Sequence, residues 1–348
     1  MGRDRAVPTA WILALAGLSA VAACSGGGKG SDDAGVPPPA TSTPATEQGA
    51  PLTGLPADPA RAARPLLVVK VDNAPKARPQ VGLGQADVVV EEEVEGGVTR
   101  FAVLFHSGDA PVVGPVRSAR STDILITSSL NRPLFAYSGA SSAFQTLIAR
   151  SPLVDVGVDR FPADYRRQRG RPGPYDLFSS TPSLFSHAPP GSAPPPRLFP
   201  FRSVGEPTDA AGAAPAVGVS MEFRAVIVTA VQYRWDAASA TWKRSQDGGP
   251  HVDQGGSQQA PKNVVVQLVN YRDTGFRDRS GAVVPEAELV GEGEVWVLTD
   301  GKVVKGRWRK PTPDALTQYL DASGAPVRMT PGQTWIELVR PGRAAITP

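Results

Sequence analysis

The stretch DVVVEEEVEGGVTRFAVLFHSGDAPVVGPVRSAR, residues 87–120, is the basis of the fold predicted for this chain. Its two apolar runs, Val88–Val90 and Phe101–Phe105, have the length and the β-branched and aromatic content of strands. Between them, the dipeptide Gly96-Gly97 suits a turn that requires positive φ. The stretch therefore predicts two strands joined by an acidic turn.

Charged residues of both signs surround this predicted strand pair. The carboxylates and guanidiniums are Glu91, Glu92, Glu93, Glu95, Arg100, Arg117 and Arg120. Guanidinium groups suit bidentate recognition of phosphates and carboxylates, and paired carboxylates suit acid–base chemistry. The stretch is thus the most site-like part of the sequence, although it does not by itself name a reaction.

The N-terminus has the order of features expected of a lipoprotein signal. Arg3 and Arg5 precede an apolar run from Trp11 to Val21 that is too short to span a bilayer comfortably. The run leads to Val21-Ala22-Ala23-Cys24, which resembles a bacterial lipobox. We predict a signal peptide over residues 1–24 and lipidation of Cys24, with the chain anchored to the outer face of the cytoplasmic membrane. The alternative is an ordinary secretory signal with an incidental cysteine.

The composition after Cys24 limits the possible functions of the chain. Residues 25–51 are rich in Pro, Gly, Ser and Ala, which predicts a disordered tether. Cys24 is the only cysteine, so the rest of the chain has no disulfide and no thiol nucleophile. A net charge of +3 over 348 residues gives no electrostatic argument for nucleic-acid binding. Neither a P-loop, a dinucleotide fingerprint nor a Gly-x-Ser-x-Gly elbow occurs, and we predict no cofactor.

The rest of the chain predicts an α+β protein with two domains. Residues 52–186 mix strand and helix patterns and predict an α/β domain. Residues 187–218 are rich in Pro and Ala and predict a connection, part of which packs on a domain. Residues 219–345 contain many short strand patterns and five of the six tryptophans, which predicts a β-rich domain. Whether the two domains share one cleft stays open.

Two loops in the first predicted domain could contact a ligand. The rigid, proline-containing loop after residue 71 carries Asn73, Arg78 and Gln80, although Asp72 and Asn73 could equally cap the turn. The small-residue loop 138–142, which contains Ser141, precedes a predicted helix whose free N–H groups could hold an anion. An ordinary strand-to-helix connection has the same appearance.

One pair of candidate metal ligands occurs in the second predicted domain. His251 and Asp253 lie two residues apart in a loop rich in Gly and Gln. Because a metal site requires more ligands than these two, we predict no metal and interpret the pair as hydrogen-bonding groups of a turn.

Several motifs, taken in order, give the chain a resemblance to a known family. They are the lipobox, the tether, VDNAPKARPQVGL, ADVVVEEEVEGGVTRF, GPVRSAR and the closing GRWRKP and PGQTWIEL. Together they resemble the YerB-like family of bacterial lipoproteins, which pairs two domains of unknown function. The resemblance implies an envelope location and two domains, and it brings no activity. It points to Asn73, Arg78, Gln80, Glu92, Glu95, Thr99, Arg100, Arg117, Ser118, Arg120, Gly139, Ser141, His251 and Trp308.

Three functions remain open on the sequence alone. The first is a module that binds an anionic or cell-wall ligand through the arginines, with the glutamates orienting them. The second is an enzyme acting on cell-wall glycan, with Glu92 and Glu95 as the acid–base pair. The third is a structural scaffold that contacts other envelope proteins and uses the charges as an internal network. A buried, unpaired glutamate in a cleft would favour the enzyme, and arginine-clamped glutamates would favour binding. The oligomeric state is not predicted.

Overall fold

The computed structural model describes residues 49–278 and 281–348. The predicted signal peptide, Cys24 and all but the last three residues of the predicted tether lie outside the described residues. One compact unit spans Glu47–Pro348. Within the described ranges, no helix is long and apolar enough to cross a membrane.

The described residues form short helices and many strands. The α-helices are α1 Pro59–Ala62, α2 Ser121–Thr127, α3 Ser142–Arg150 and α4 Thr181–Phe185, and the 3-10 turns are Pro75–Ala77, Leu83–Gln85, Glu95–Gly97 and Pro162–Asp164. The first strands are β1 Leu67–Asp72, β2 Val88–Glu93, β3 Thr99–Phe105, β4 Leu134–Ala136, β5 Val154–Asp155, β6 Arg166–Arg167, β7 Leu177–Phe178 and β8 Ala214–Pro215. The later strands are β9 Gly218–Arg224, β10 Val228–Asp236, β11 Thr241–Gln246, β12 Gly249–Pro250, β13 Asn263–Leu268, β14 Tyr271–Arg277, β15 Val283–Ala287, β16 Gly291–Thr299, β17 Lys302–Lys310, β18 Gln318–Leu320, β19 Thr334–Val339 and β20 Ala344–Thr347.

A single eleven-stranded sheet runs through both predicted domains. Its order is β18-β17-β16-β13-β19-β2-β3-β1-β4-β5, and β8 pairs with β17 beside this path. Strand β19 lies between β13 and β2 and is parallel to both. The sheet therefore continues across the predicted domain boundaries at residues 186 and 219, because β19 of the second predicted domain pairs directly with β2 of the first.

Apolar layers cover both faces of this sheet, which explains the unbroken apolar runs of its central strands. On one face, a five-stranded sheet of order β12-β11-β10-β9-β20 packs through Tyr233 and Trp242 against a layer that includes Phe101 and Trp335. On the other face, α2 contributes apolar residues that pack against a second layer built on β1, β2 and β3. Charged residues in these strands are consequently buried wherever a covering layer lies over them.

The β-rich architecture is confirmed, and the predicted strands at residues 88–90 and 101–105 lie within β2 and β3. Gly96 and Gly97 adopt φ of 74° and 84°, as the predicted turn requires. The helices of the N-terminal segment have four to nine residues. That segment therefore consists of strands flanked by short helices. The predicted mixed α/β domain is a more specific description than these elements support.

The predicted connection over residues 187–218 is largely packed. Phe199 is buried, and Phe201 forms a bridge with Met329. The end of the stretch forms β8, which pairs with β17. This agrees with the expectation that part of the stretch packs on the folded unit.

Candidate functional site

The register of β1, β2 and β3 sends their charged residues to two different faces. Arg100 of β3 is paired with Glu92 on the neighbouring strand β2 and with Asp72 on the neighbouring strand β1. The side chains of these three residues therefore lie on the same face of the sheet. Glu91 lies opposite Phe101 and therefore shares the other face. Because side chains alternate along a strand, adjacent glutamates of one acidic run enter two separate environments.

On the Phe101 face, Arg244 of β11 is fully buried in a closed network. Its Nη2 donates to Glu91 Oε2 at 2.5 Å, and its Nε donates to Tyr233 Oη at 3.1 Å. The Tyr233 hydroxyl donates to Glu337 Oε1 at 2.5 Å. Burial, reinforced by the neighbouring Glu91 carboxylate, raises the pKa of Glu337 well above its ordinary value. The network therefore places two buried carboxyl groups beside one guanidinium, and burial favours the neutral form of Glu337.

The predicted site residues Asn73, Gln80 and His251 belong to this same network. Asn73 Nδ2 donates to Glu91 Oε1 at 2.9 Å, and Gln80 Nε2 donates to Asn73 Oδ1 at 2.9 Å. His251 Nε2 is 2.9 Å from Gln80 Oε1, and His251 Nδ1 contacts Arg244 Nη1. Burial, followed by the nearby Arg244 charge, lowers the pKa of His251 well below its ordinary value. All three side chains are buried, and their polar groups join the two sheets.

The structure gives the candidate metal ligands other partners. His251 is held by Gln80 and Arg244, while Asp253 Oδ1 accepts from the backbone N–H groups of Gly255 and Ser257 at 2.8 and 3.0 Å. Among residues 49–278 and 281–348, no group of three or more His, Cys, Asp or Glu side chains could hold a metal ion. The geometry of Asp253 matches the turn interpretation.

On the Arg100 face, a second charge cluster is sealed beneath α2. Lys70 Nζ contacts Glu92 Oε1 and lies 2.7 Å from Asp123 Oδ1, and all three side chains are fully buried. Asp123 Oδ2 also accepts from the Arg120 backbone N–H at 2.7 Å, which ties the cluster to the start of α2. Burial raises the pKa of Glu92 to about 7, against the opposing effect of Lys70. Glu92 is thus a buried partner of Lys70.

Beside this cluster opens a cleft of about 1080 Å³. Five arginines contribute to its lining: Arg100, Arg117, Arg120, Arg167 and Arg277. The small-residue loop 138–142 and the first turn of α3 form another part of the wall. Arg277 comes from the β14–β15 hairpin, which contacts α3 through Phe276 packed edge-to-face on Phe144 at 5.1 Å. Both predicted domains therefore build this one cleft.

Three of the cleft arginines are paired with carboxylates and Arg100 is not. Arg167 Nη1 lies 2.6 Å from Asp176 Oδ1. Arg117 Nε donates to Asp72, and Arg120 donates to both oxygens of Glu95 at 2.6 and 2.8 Å. Arg100 donates from Nη1 to the Ser118 carbonyl at 2.9 Å, but its Nε has no hydrogen-bond partner within the described residues. In the same ranges no carboxylate lies within 4.0 Å of Arg100, although only 7% of the residue is exposed.

Electrostatics around Arg100 reflect this missing partner. Burial, and then the charge of Arg120, lower the pKa of Arg100 to about 10. A guanidinium with that pKa is still protonated at neutral pH, so the cleft wall holds a buried cation that has Asp72 and Glu95 nearby but no direct carboxylate partner among the described residues. Leaving a buried charge unpaired costs several kcal/mol, and an anion entering the cleft would remove that cost.

The N-terminus of α3 adds hydrogen-bond donors to the same cleft. Ser141 is the N-cap residue, and its Oγ accepts from the Phe144 N–H at 3.4 Å. The first N–H groups of a helix have no intrahelical partner, and this end of the helix carries about half a positive charge. Gly139, with φ of 88°, turns the chain into the helix.

The structure brings together only some of the predicted site residues. Arg100, Arg117, Arg120 and Ser141 line the cleft, and Glu95 lies behind Arg120. Arg78 instead pairs with Asp247 at 2.7 Å. The buried residues Asn73, Gln80 and Glu92 bond within the protein interior.

Sequence reasoning did not identify Lys70, Arg244 or Arg277 as site residues. Arg244 alternates in step with the buried Trp242 along β11, so its inward direction could have been inferred. No local signal marks Arg277, which is brought to the cleft only by the hairpin.

Comparisons with known proteins agree with this architecture. Residues 52–191 match the N-terminal domain and residues 219–336 the C-terminal domain of a family described as "Protein of unknown function (DUF3048)". The chain is 28% identical over 302 residues to a Bacillus subtilis (strain 168) protein named "Putative lipoprotein YerB", covering 83% of this chain and 86% of that protein.

A solved structure has the same fold. The crystal structure of the YerB protein from Bacillus subtilis superposes with a TM-score of 0.75 at 24% identity, covering 86% of this chain and 99% of that one. On these matches, the chain belongs to the YerB-like family, in which an N-terminal and a C-terminal domain of unknown function follow one another.

Proposed function

We propose that this chain is a lipid-anchored protein of the bacterial envelope that binds an anionic ligand, or an anionic part of a cell-wall component, in the cleft beside Arg100. One observation carries the proposal. Arg100 is a buried guanidinium that faces a large cleft and has no carboxylate partner in the described residues. Buried charges in proteins are normally paired, so a bound anion would complete this arrangement.

The lipid anchor is supported by two independent points. The sequence around Cys24 resembles a lipobox, and the similar Bacillus subtilis protein has the name "Putative lipoprotein YerB". Lipidation at Cys24 would place the folded unit at the outer face of the cytoplasmic membrane. We expect a Cys24→Ser chain to lose incorporated palmitate, and palmitate labelling equal to that of the wild type would contradict the anchor.

Binding is favoured over the alternative of glycan hydrolysis by the surroundings of the two candidate glutamates. Glu95 accepts a hydrogen bond from Arg120 at each of its two oxygens, which occupies its lone pairs. Glu92 is fully buried under Lys70 and does not line the cleft. An acid–base pair needs both carboxyls beside the scissile bond, and these two lack that access.

The proposal is tested by thermal unfolding of the chain from residue 25 onward with phosphate, pyrophosphate, citrate and muropeptides. A ligand at a hundred times its Kd stabilises by about 2.7 kcal/mol, which is a shift of a few degrees. We expect at least one anion to stabilise the wild type and the Arg309→Gln control, whose exposed arginine lies outside the cleft lining. The same anion should not stabilise Arg100→Gln.

Two results would overturn the proposal. One is the absence of a shift with every anion, and the other is an equal shift in the Arg100→Gln variant. Either result would favour the scaffold hypothesis, in which the charge clusters hold the fold and partners bind elsewhere.

A further inference from the structure

Hydrogen-bond donors from separate elements of the fold line the cleft around Arg100. Arg100 and Arg117 reach the cleft from one wall, and the first turn of α3 reaches it from another. A carboxylate offers two oxygens in one plane, whereas a phosphate monoester offers three terminal oxygens in a tetrahedral arrangement. Donors that approach from two separate elements therefore fit the tetrahedral group better.

Charge counting gives the same preference. Asp72 neutralises Arg117 and Glu95 neutralises Arg120, so Arg100 leaves one positive charge in the deep part of the cleft. The N-terminus of α3 adds about half a charge, for a total of about +1.5. A phosphate monoester carries about −1.5 to −2 at pH 7, while a carboxylate carries only −1. The phosphate therefore matches the local charge more closely.

The rim of the cleft has a different character from its depth. It is lined by Arg167 and Arg277 together with Asp159 and Asp278, and Arg167 also pairs with Asp176, so the rim has no excess of positive charge. The exposed side chains of Asp159 and Gln145 are suitable partners for hydroxyl groups. A cleft of about 1080 Å³ is also far larger than one phosphate ion and falls in the size class of sites for whole small molecules.

Resting on the proposed function, we infer that the ligand is a phosphorylated sugar or polyol. Its phosphoryl group lies between Arg100, Arg117 and the N-terminus of α3, and its hydroxyl-bearing body lies toward the rim at Asp159 and Gln145. Both domains of the family are described as having unknown function, so membership of the family gives no ligand. This assignment names the chemical class that the cleft selects and the orientation in which it is held.

The inference is tested by calorimetric titration with four matched probes: glucose 1-phosphate, glucuronate, inorganic phosphate and glucose. We expect glucose 1-phosphate to bind at least tenfold more tightly than glucuronate or inorganic phosphate, and glucose to give no binding. Lowering the pH from 7.5 to 5.5 should weaken the binding of glucose 1-phosphate, because the second pKa of its phosphate is near 6 and the group loses negative charge below it. Arg100→Gln should weaken the binding of glucose 1-phosphate more than tenfold, and Arg309→Gln should leave its affinity unchanged.

A helix-specific pair of variants tests the position of the phosphoryl group. Ser142 is the first helical residue of α3, where proline is tolerated, and Ser141 already has the extended conformation that precedes proline. Ser142→Pro removes the N–H together with the hydroxyl, whereas Ser142→Ala removes only the hydroxyl. We expect glucose 1-phosphate to bind about threefold to tenfold more weakly to Ser142→Pro than to Ser142→Ala.

The outcomes separate this inference from the function on which it rests. Glucuronate binding as tightly as glucose 1-phosphate would keep an anion site but overturn the phosphoryl assignment. Inorganic phosphate binding equally well would overturn the sugar or polyol body. Equal affinities of the two Ser142 variants would overturn the place of the phosphoryl group at α3. No binding of any of the three anions would overturn this inference, and the proposed function would also fail if the thermal-unfolding panel showed no shift with any anion.

Discussion

The two faces of the β1–β2–β3 strands carry the same residue types and produce opposite environments. On one face, Arg244 lies among Glu91 and three aromatic rings, and every guanidinium nitrogen has a partner. On the other face, Arg100 is nearly as buried, yet it borders an open cleft and its Nε has no partner in the described residues. Two arginines of similar burial therefore have different electrostatic situations.

This difference separates structural charge from functional charge. A fully paired buried arginine contributes to the stability of the fold, because its removal leaves its partners uncompensated. An unpaired buried arginine lowers stability, and a protein that keeps one has a use for the charge. The two faces should therefore respond differently to substitution and to pH.

The largest effect is expected from removing each arginine in turn. Arg244→Met would leave Glu91 buried without its cation, and we expect a loss of about 3–5 kcal/mol in the free energy of unfolding. Arg100→Met removes an unpaired charge, and we expect no loss or a gain of up to about 1 kcal/mol in the absence of ligand. Urea unfolding of both variants measures the difference. Similar losses in the two would contradict the distinction between the faces.

The next effect distinguishes the two carboxyls of the closed network. Glu91→Gln removes the charge that pairs with Arg244, and we expect a loss of about 2–3 kcal/mol. Glu337 has a raised pKa, so glutamine resembles its protonated form, and we expect Glu337→Gln to cost less than about 1 kcal/mol at pH 7. Urea unfolding at pH 7 checks the pair. A larger loss in Glu337→Gln would reverse the assignment of the proton.

A pH dependence is expected from the cluster beneath α2. The pKa of Glu92 is raised from 4.5 to about 7 in the folded chain, with Lys70, Asp123 and Tyr271 as its charged or titratable neighbours. The stability that this raised pKa contributes is therefore full below about pH 4.5 and is lost as the pH rises through about 7. We expect wild-type stability, measured relative to Glu92→Gln, to fall by about 1–3 kcal/mol between pH 5 and 8. If the difference in unfolding free energy between the wild type and Glu92→Gln does not change with pH, the proton is bound by another group of the cluster.

The smallest effect concerns the hairpin at the open cleft. Phe276 packs edge-to-face on Phe144, and such a pair contributes about 0.5–1.5 kcal/mol. We expect Phe276→Ala to lose about that much stability. We also expect it to weaken the binding of glucose 1-phosphate about threefold, because Arg277 would be held less firmly. Thermal unfolding and calorimetry measure the two quantities. Unchanged affinity would mean that the rim contributes little to binding.

Local patterns were sufficient for several elements of the fold, including the strands β2 and β3. Runs of valine and phenylalanine predicted β2 and β3, and the Gly96-Gly97 pair predicted the turn between them. The small-residue loop 138–142 was correctly predicted to lead into a helix. These features depend on a few consecutive residues, which a sequence displays directly.

The partners of the charged residues could not be inferred in this way. Arg244 and Glu91 are 153 positions apart, and their contact depends on how one sheet packs on the other. Strand alternation shows that Glu91 and Glu92 point in opposite directions, but not which layer covers each of them. For the same reason, Arg78, Arg100 and Arg120 were equally prominent as predicted site residues, although only Arg100 lacks a carboxylate partner among these three.

The central position of β19 has a consequence for how the chain is made. Protein synthesis proceeds from the N-terminus, and β19 is completed only when residues 334–339 have emerged. Until then β2 and β13, the neighbours of β19, each present a row of unpaired backbone groups, and such edges promote aggregation. We therefore expect a product truncated before residue 334 to aggregate through these two strand edges, although most of both predicted domains is present.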